Sequence, residues 1–348
     1  SLSKLPEVRW ISPDAPVQKS AEPLEVTSTA NLVNAYIREI KADTLGARGL
    51  QGQGVRVAVI DSGINQHHDL YTVMGRYRVI DSVAFNDDYN RSVYDGYGHG
   101  NHIAGIIGGS GAYSNDKYIG VAPMSDIVNV KVSNDDGSAR ASNVVAGVQW
   151  VLNNKARLNI RVVNLSLNTN VAESYHTSPL AAAAEVLWFN KIVVVASAGN
   201  KQDGQLYAPA NDPFIITVGA VDDKNTSTTT DDVLTNFSAF GVTPEGFSKP
   251  DLVAPGKNIV SLSDYSTVLS RAYPDRIIGE RYFRMSGTSM SAAMVTGAVA
   301  LLLQDEPTLT PDQVKYRLMA TANKGFSGYN SSKAGAGFVV EKRGTGDQ

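Results

Sequence analysis

Short apolar runs rich in valine and isoleucine alternate with longer helical runs, and this alternation constrains the fold more than any other feature of the sequence. The short runs predict strands over 55–60, 127–132, 162–165 and 192–196. The longer runs predict helices over 144–158 and 179–190. Strands that are separated by helices form parallel sheets with both faces covered. The sequence therefore predicts an α/β fold: a three-layer sandwich with a mostly parallel central sheet.

Two helix starts carry specific capping chemistry. Ser178-Pro179 and Thr310-Pro311 each place a capping hydroxyl before a proline that suits the first helical position. Gln313 lies three residues after Thr310, which is the spacing of a capping box. These signals predict helices that begin at residues 179 and 311.

The chain divides into three parts by pattern. The segment 1–28 is predicted to be an N-terminal appendage, with one short strand over 5–11 followed by prolines that interrupt regular structure. The main part, 29–340, is predicted to be one α/β domain, and the polar end, 341–348, a flexible tail. Because the chain begins with Ser1 and not Met, we interpret it as a processed or trimmed product. Near the start of the domain, one helical face is formed by Leu32, Val33, Tyr36, Ile37 and Ile40.

Composition excludes several classes of function. The chain has 31 basic and 34 acidic side chains, and this net charge of −3 lacks the basic excess of a nucleic-acid binder. There is no cysteine, which excludes disulfides, thiolate catalysis and cysteine-ligated metals. The longest apolar run, Ala292–Leu303, is well short of the roughly 20 residues that a membrane span needs.

Polar residues follow two of the predicted strands, at the sheet edge where α/β proteins bind ligands. Asp61 follows the first strand and Asn200 follows the strand that ends at Ala196. Taken singly, each is better interpreted as a turn residue. His99 and His102 lie in a glycine-rich segment, where a lone histidine is usually structural. As a pair they also suggest zinc, but no glutamate lies between them as in the HExxH motif.

The serine candidate is the most specific. Ser289, in Gly287-Thr288-Ser289-Met290, opens the apolar run and so lies at the amino end of a buried helix. Unpaired backbone N–H groups and the helix dipole favour developing negative charge there. The plain alternative is a helix cap filled by Thr288 or Ser289.

Together the four candidates supply what an acyl-transfer site needs. Ser289 is a nucleophile, His99 a base, Asp61 a carboxylate that orients the base, and Asn200 an oxyanion donor. Two rival interpretations of the same cleft remain: a catalytically inactive peptide-binding scaffold, and a zinc hydrolase. A dinucleotide enzyme is disfavoured because the glycines at 52 and 54 precede the first strand of the domain.

With these motifs in order, the chain resembles subtilisin-like serine peptidases from about Asn31 to Val340. The matching blocks are Val-Ile-Asp61-Ser-Gly, His99-Gly-Asn-His-Ile-Ala-Gly, Ala-Gly-Asn200 and Gly-Thr-Ser289-Met-Ser. The order Asp, His, Ser along the chain is the one known for subtilisin itself. The family-like landmarks Gly-Val-Ala-Pro123 and Val-Ala-Pro-Gly256 add to the match.

The resemblance implies a subtilisin-like fold and a secreted serine endopeptidase that is made as a zymogen. It also implies that the protein hydrolyses protein or peptide substrates as a monomer, without nucleic-acid or membrane partners. It implies a catalytic triad of Asp61, His99 and Ser289, with Asn200 as the oxyanion donor. Substrate would add as a strand between two edges and place an apolar or aromatic side chain, the P1 residue, before the scissile bond. The residues implied in substrate binding are Gly137, Ser138, Ala139, Ser166, Leu167, Asn168, Ala198 and Gly199.

Two further expectations come from the family. Calcium is common in it, and Asp69 with the loop 110–116 matches a ligand pattern of carboxylate plus loop oxygens, against the alternative of an ordinary aspartate and a solvated turn. Val8–Asp14 resembles the final strand of an inhibitory propeptide, so we expect either a retained remnant or further trimming between about Pro16 and Asn31.

This chain departs from the family pattern at a few positions. Asn101 replaces the usual threonine after the histidine, Asn168 replaces a glycine at the rim of the pocket, and 292–294 are Ala-Ala-Met in place of Ser-Pro-His. We expect altered packing and retained activity. The segment between Gly256 and Gly287 is longer than usual and is interpreted as a solvated hairpin, with a wall of the cleft on the leaving-group side as the alternative.

Overall fold

The computed structural model describes residues 8, 10–19, 34–88, 92–202 and 204–340. The helices within these ranges are α1 (Tyr36–Glu39), α2 (Ala42–Ala47), α3 (His99–Gly108), α4 (Ala141–Leu158), α5 (Pro179–Phe189), α6 (Val268–Ala272), α7 (Thr288–Asp305), α8 (Pro311–Thr321) and α9 (Ser331–Ala334). The strands are β1 (Pro16–Lys19), β2 (Arg56–Asp61), β3 (Val79–Ala84), β4 (Asp126–Lys131), β5 (Ala139–Arg140), β6 (Ile160–Leu165), β7 (Leu167–Thr169), β8 (Val193–Ser197), β9 (Ile216–Asp222), β10 (Val233–Leu234), β11 (Gly241–Val242), β12 (Ser248–Lys249), β13 (Leu252–Pro255), β14 (Ile259–Leu262), β15 (Ile277–Ile278) and β16 (Tyr282–Met285).

A mostly parallel sheet forms the centre of the molecule. Its strand order is β3-β4-β2-β6-β8-β9, and every neighbouring pair in this row is parallel. β13 continues the sheet parallel to β9, and β10 pairs with the end of β9 in the antiparallel sense. The chain leaves β2 toward β3 and β4 on one side and later returns to β6 on the other. This reversal of direction at β2 is where open α/β sheets form their ligand crevice.

Helices cover both faces of this sheet, as the alternation of strands and helices predicts. Asp61 at the end of β2 contacts His99 of α3, whereas Ile60 lies beside Gly147 of α4. Because successive strand residues point to opposite faces, α3 and α4 lie on opposite sides of the sheet. α7 packs beside α3, and α5 packs beside α4. The three-layer α/β architecture is therefore confirmed.

The predicted helix starts are confirmed in detail. The Ser178 hydroxyl accepts a hydrogen bond from the Ala181 amide at the start of α5. At the start of α8, the Thr310 hydroxyl accepts from the Gln313 amide, and the Gln313 side chain accepts from the Thr310 amide at 2.9 Å. α7 begins at Thr288 and its side chains from Thr288 to Leu303 are buried, as expected for the helix that opens with Ser289.

The N-terminal expectations need correction. Residues 8, 10 and 11 lie outside any strand, and the strand of this region is Pro16–Lys19, so the prolines do not exclude it. Proline suits the first position of a strand because its missing N–H is not needed there. The other residues of the predicted strand, the positions 32 and 33 of the predicted helix and the tail 341–348 lie outside the described residues. The described part of that helix forms α1, which ends before Lys41, a residue with a left-handed φ of 66°.

The long segment before Ser289 is not simply a solvated hairpin. Its ends form β14 and β16, whose residues are all buried, and these strands pair with each other. Its middle forms α6, where the Val268 and Leu269 amides donate to the carbonyls of Gly96 and Tyr97. The apolar β16 residues anchor the segment, and α6 is fixed against the loop that leads into His99.

A buried acidic cluster lies under α1. Glu39 is only 1% exposed, and neither of its carboxylate oxygens has a hydrogen-bond partner among the described residues. Burial raises the pKa of Glu39 to about 10, with the neighbouring charges of Asp223 and Asp232 acting in the same direction. Glu39 is therefore held in its protonated form at neutral pH.

Candidate active site

The histidine at the start of α3 is held by the aspartate at the end of β2. His99 Nδ1 lies 2.8 Å from Asp61 Oδ1 and 3.0 Å from Oδ2, and both side chains are buried. The Asp61 carboxylate also accepts a hydrogen bond from the Ser62 amide at 2.7 Å. Burial by itself would raise the pKa of Asp61, but the charges of His99 and Lys19 hold it well below its ordinary value. Asp61 is therefore a carboxylate, and it fixes the orientation of the imidazole.

A second buried aspartate, which the sequence analysis did not single out, positions the start of α3. Asp95 Oδ1 accepts from the Gly98 amide at 2.7 Å, and Oδ2 accepts from the Asn101 amide at 2.8 Å. These amides belong to the first turn of the helix, which has no internal acceptors for them. Asp95 thus caps the helix that carries His99. The sequence feature that could have indicated this cap is the position of Asp95, four residues before His99 and its flanking glycines.

Asn101, which departs from the family pattern, also holds this region together. Its side-chain oxygen accepts from the Asn65 amide at 2.6 Å, and Asn65 in turn exchanges hydrogen bonds with the backbone of Asp95. The asparagine therefore ties α3 to the loop that follows β2.

Ser289 lies in the first turn of α7 and reaches β7. Its hydroxyl donates to the Ser166 carbonyl at 3.1 Å, and the Ser166 hydroxyl donates to the Ser289 carbonyl at 3.1 Å. The residues 292–294 that follow are fully buried in the helix. The serine is therefore fixed at the junction between a helix amino end and the strand predicted to bind substrate.

Asn200 is fixed through its side-chain oxygen. Asn200 Oδ1 accepts from both the amide and the hydroxyl of Thr288, each at 3.0 Å, and the Gly199 amide donates to the same hydroxyl at 3.1 Å. These contacts place the Asn200 amide nitrogen next to the start of α7. Thr288 was considered only as a helix cap by sequence reasoning, and its role as the anchor of Asn200 was missed.

Two nitrogen atoms in the site stay unpaired. Neither His99 Nε2 nor Asn200 Nδ2 has a hydrogen-bond partner among the described residues, although both atoms are buried. In each side chain the opposite atom is held by the protein, at Asp61 or at Thr288. Each of the two nitrogens is therefore available to pair with a group that enters the site.

The strand β1 occupies the two edges that were predicted to bind substrate. It pairs antiparallel with β5 on one side, where Val17 is opposite Ala139, and with β7 on the other, where Gln18 is opposite Asn168. Gly137 and Ser138 form the turn before β5, and Ser166 precedes β7 directly. The chain's own N-terminal segment is thus a middle strand between these edges.

The last described residue of β1 enters the site itself. Lys19 Nζ lies 3.1 Å from Asp61 Oδ1, and the lysine side chain is only 5% exposed. Val17, two residues earlier on the same face of the strand, is also buried. The carboxylate oxygen that faces His99 therefore faces an ammonium group as well.

Asn168 narrows the space between β7 and the end of β8. Its side-chain nitrogen donates to the Ser197 carbonyl at 3.0 Å, so the side chain crosses from one segment to the other. A Cβ atom on Gly199 would lie 3.6 Å from Asn168 Oδ1. Ala198 is buried behind them. Asn168 and Gly199, both predicted to line the pocket, are therefore neighbours. The amide side chain of Asn168 occupies the rim position at which the sequence analysis expected glycine from the family pattern.

The residues around Asp69 do not fit a calcium ion as they are folded here. Asp69 Oδ1 accepts from the Tyr113 amide at 2.8 Å and Oδ2 accepts from the Tyr282 hydroxyl at 2.7 Å. The Asp69 carbonyl accepts from the guanidinium of Arg78, which is fully buried. Protein donors thus hold the oxygens that a cation would need. Among the described residues, no group of three or more histidines or acidic residues is arranged to hold a metal ion.

His102 is turned away from the site, which weighs against the zinc interpretation. Its Nε2 lies 3.0 Å from the Phe283 carbonyl and 3.2 Å from the Ile259 carbonyl, contacts that suit an N–H donor. Burial lowers the pKa of His102 to about 3, so the ring is neutral. His102 is a structural residue that joins α3 to β14 and β16.

Comparisons with known proteins agree with this geometry. The family model described as the subtilase family matches residues 52–337. The chain is 37% identical to serine protease AprX of Bacillus subtilis (strain 168), in a match that covers 89% of this chain and 74% of that protein. It is 32% identical to the alkaline protease of Shouchella clausii, over 89% of this chain and 70% of that protein. It is 33% identical to subtilisin DY of Bacillus licheniformis, over 83% of this chain and 92% of that protein.

In the part of the chain that the structure describes, no helix is long and apolar enough to cross a membrane. The match of the family model covers most of the chain, and the fold is the mostly parallel α/β sandwich that the sequence predicted. The chain therefore belongs to the subtilase family and is a subtilisin-like serine endopeptidase.

Proposed function

We propose that Asp61, His99, Ser289 and Asn200 hydrolyse peptide bonds through an acyl-enzyme. Ser289 Oγ attacks the peptide carbonyl while His99 Nε2 takes its proton, and the Asp61 carboxylate stabilises the imidazolium that forms. The proton then passes to the leaving amine as the C–N bond breaks. A water molecule, activated by the same imidazole, releases the acyl group as a carboxylic acid.

The observation that carries this proposal is the pair of unpaired buried nitrogens, His99 Nε2 and Asn200 Nδ2. One is the acceptor that the serine proton needs, and the other is a donor for the oxyanion. In the present arrangement the Ser289 hydroxyl donates to the Ser166 carbonyl and not to His99. A hydrogen bond from a nucleophile to its general base is often long in the free enzyme and tightens only when substrate is bound. The amide of Ser289 at the start of α7 is the second oxyanion donor.

Ser289→Ala and Asn200→Ala test the assignment. We expect Ser289→Ala to abolish hydrolysis of a chromogenic peptide. For Asn200→Ala we expect kcat to fall about 10²–10³-fold with residual turnover, a magnitude known for this donor in subtilisin itself. Labelling of Ser289 by a serine-directed phosphonate separates a peptidase from an inactive peptide-binding scaffold. Wild-type turnover in Ser289→Ala would refute the proposal.

Substrate binding is proposed along the edges that β1 occupies, with Gly137, Ser138 and Ala139 on one side and Ser166, Leu167 and Asn168 on the other. Main-chain pairing of this kind tolerates many sequences, so we propose broad specificity. The pocket between Asn168 and Ala198-Gly199 then selects an apolar or aromatic P1 side chain. Digestion of a peptide library tests this, and Asn168→Gly should admit larger P1 residues.

The N-terminal segment is proposed to be an inhibitory propeptide, and the chain therefore a zymogen. The pairing of β1 with both edges of the cleft supports this, and so does Asp14, whose carboxylate accepts from the Ser142 amide and hydroxyl at the start of α4. The proposed catalytic domain is 29–340. An active preparation that keeps its sequence from Ser1 after prolonged incubation would contradict further trimming.

Secretion, a monomeric state and calcium binding are proposed from the family alone. Secretion is tested by the fraction in which activity is found in the natural host, and the monomer by sedimentation. Calcium at Asp69 is the weakest of these proposals, because Tyr113 and Tyr282 already hold its carboxylate. A melting temperature unchanged by excess chelator would argue against a structural ion.

A further inference from the structure

The ammonium group of Lys19 contacts Asp61, a contact that peptide hydrolysis does not require of a substrate side chain. Peptide hydrolysis needs the segment to pair with the edges of the cleft, and that pairing uses backbone atoms only. Lys19 adds a buried ion pair with Asp61, the carboxylate that serves His99. No hydrogen-bond partner for Lys19 Nζ is found among the described residues.

The contact has opposite effects on binding and on chemistry. Asp61 Oδ1 lies 2.8 Å from His99 Nδ1 and 3.1 Å from Lys19 Nζ, so both groups share one oxygen. Before His99 takes the serine proton, the ammonium gains the attraction of the carboxylate. When His99 takes the serine proton it becomes positive beside the ammonium, and the carboxylate that should stabilise it is already paired.

We propose that Lys19 is an inhibitory side chain that makes the N-terminal segment bind tightly and react slowly. Its ammonium stabilises the bound state of the segment and destabilises the transition state of its cleavage. An interaction that is stronger in the ground state than in the transition state lowers KM and kcat together. The inference rests on the proposed function, and it extends to any peptide that places a lysine beside Asp61.

The full chain provides the first test. Lys19→Met keeps the length and apolar stem of the side chain and removes the charge. Gln18→Met is the matched control, because residue 18 is exposed on the same strand. We expect the N-terminal fragment to be released about tenfold faster from Lys19→Met than from the wild type, while Gln18→Met stays near the wild-type rate. Equal rates for the two variants would overturn the proposal.

Peptides in trans separate binding from chemistry. A synthetic peptide of residues 10–25 is compared with its Lys19→Met and Gln18→Met versions as a substrate of the self-processed wild-type protein. We expect the lysine peptide to have a KM about tenfold lower and a kcat at least severalfold lower than the Lys19→Met peptide. A KM or a kcat that is the same for both peptides overturns the proposal.

The outcomes distinguish this inference from the assignment of the site. If Ser289→Ala still hydrolyses the peptides, the proposed function fails. If Ser289→Ala is inactive and the lysine and methionine peptides are processed alike, only the role of Lys19 fails. In the Ser289→Ala background, thermal melts of the full-chain variants show whether Lys19→Met keeps the fold.

Discussion

Arg78 provides the sharpest test of how the region around Asp69 is held. Its guanidinium donates to three backbone carbonyls, those of Asp69, Gly108 and Ser125, and the side chain is fully buried. It therefore ties the turn after β2, the end of α3 and the start of β4 into one unit.

Arg78→Met removes the three donors and keeps most of the apolar stem. Each buried carbonyl left unpaired costs about 1–3 kcal/mol, while relief of the buried charge returns part of this. We expect the free energy of unfolding to fall by about 3 kcal/mol, which corresponds to a melting temperature lower by about 4 °C in a domain of this size. Arg76→Met is the control, since that side chain is 54% exposed and its pair with Asp126 is worth at most about 1 kcal/mol.

The measurement is urea unfolding followed by tryptophan fluorescence, with both variants in a Ser289→Ala background that prevents self-digestion. Adding excess chelator to the parent should leave its midpoint unchanged if Arg78 is the cation that this region uses. A midpoint for Arg78→Met that equals that of Arg76→Met would refute the reasoning. A large chelator effect on the parent would show that a metal ion also contributes.

Three further changes test other contacts. The folded-state pKa of Glu39, about 10, is above the unfolded value of 4.5, so the stabilising contribution of Glu39 is complete below pH 4.5 and is lost as the pH rises toward 10. Glu39→Gln should therefore become more stable relative to the parent as the pH rises from 5 to 9, as measured by urea unfolding. The control Glu280→Gln, at an exposed position, should show no such change. Asp95→Ala removes the cap of α3 and should cost about 1–2 kcal/mol and lower kcat, with partial rescue by Asp95→Asn, which a pH–rate profile and melts would check. Thr288→Val leaves Asn200 with one of its two anchors, and kcat should fall about tenfold with little change in KM in steady-state assays.

The sequence predicted the residues of the proposed site better than the residues that hold them. Asp61, His99, Asn200 and Ser289 were found because each follows a recognisable strand or begins a helix. Local pattern is enough for this, because the carboxyl ends of parallel strands always meet at one edge of the sheet. The central strands were predicted for the same reason, since long apolar runs are buried wherever they lie in the chain.

Contacts between distant segments were beyond the reach of local pattern. The pairing of β1 with β5 and β7 joins residues more than a hundred positions apart, and nothing near Pro16 indicates its partners. The strand was expected earlier in the chain, over 5–11, before the prolines that interrupt regular structure. Edge pairing instead selected Pro16–Lys19, where Val17 can be buried and Lys19 can reach a carboxylate. Tertiary context decided between two weak strand signals.

The arrangement of anchors explains why the site can be both rigid and reactive. Asp61 holds one nitrogen of His99, and Thr288 holds the oxygen of Asn200, so each ring or amide plane is fixed before substrate arrives. Within the part of the chain that the structure describes, neither His99 Nε2 nor Asn200 Nδ2 has a hydrogen-bond partner that it would have to give up when the proposed reaction begins. A donor that is already oriented and unpaired stabilises the oxyanion without reorganisation, which is the condition under which such groups contribute most. Because Lys19 forms an ion pair with the anchor Asp61 and does not contact His99 Nε2, the inhibition that we propose for the segment does not require the site to be disordered.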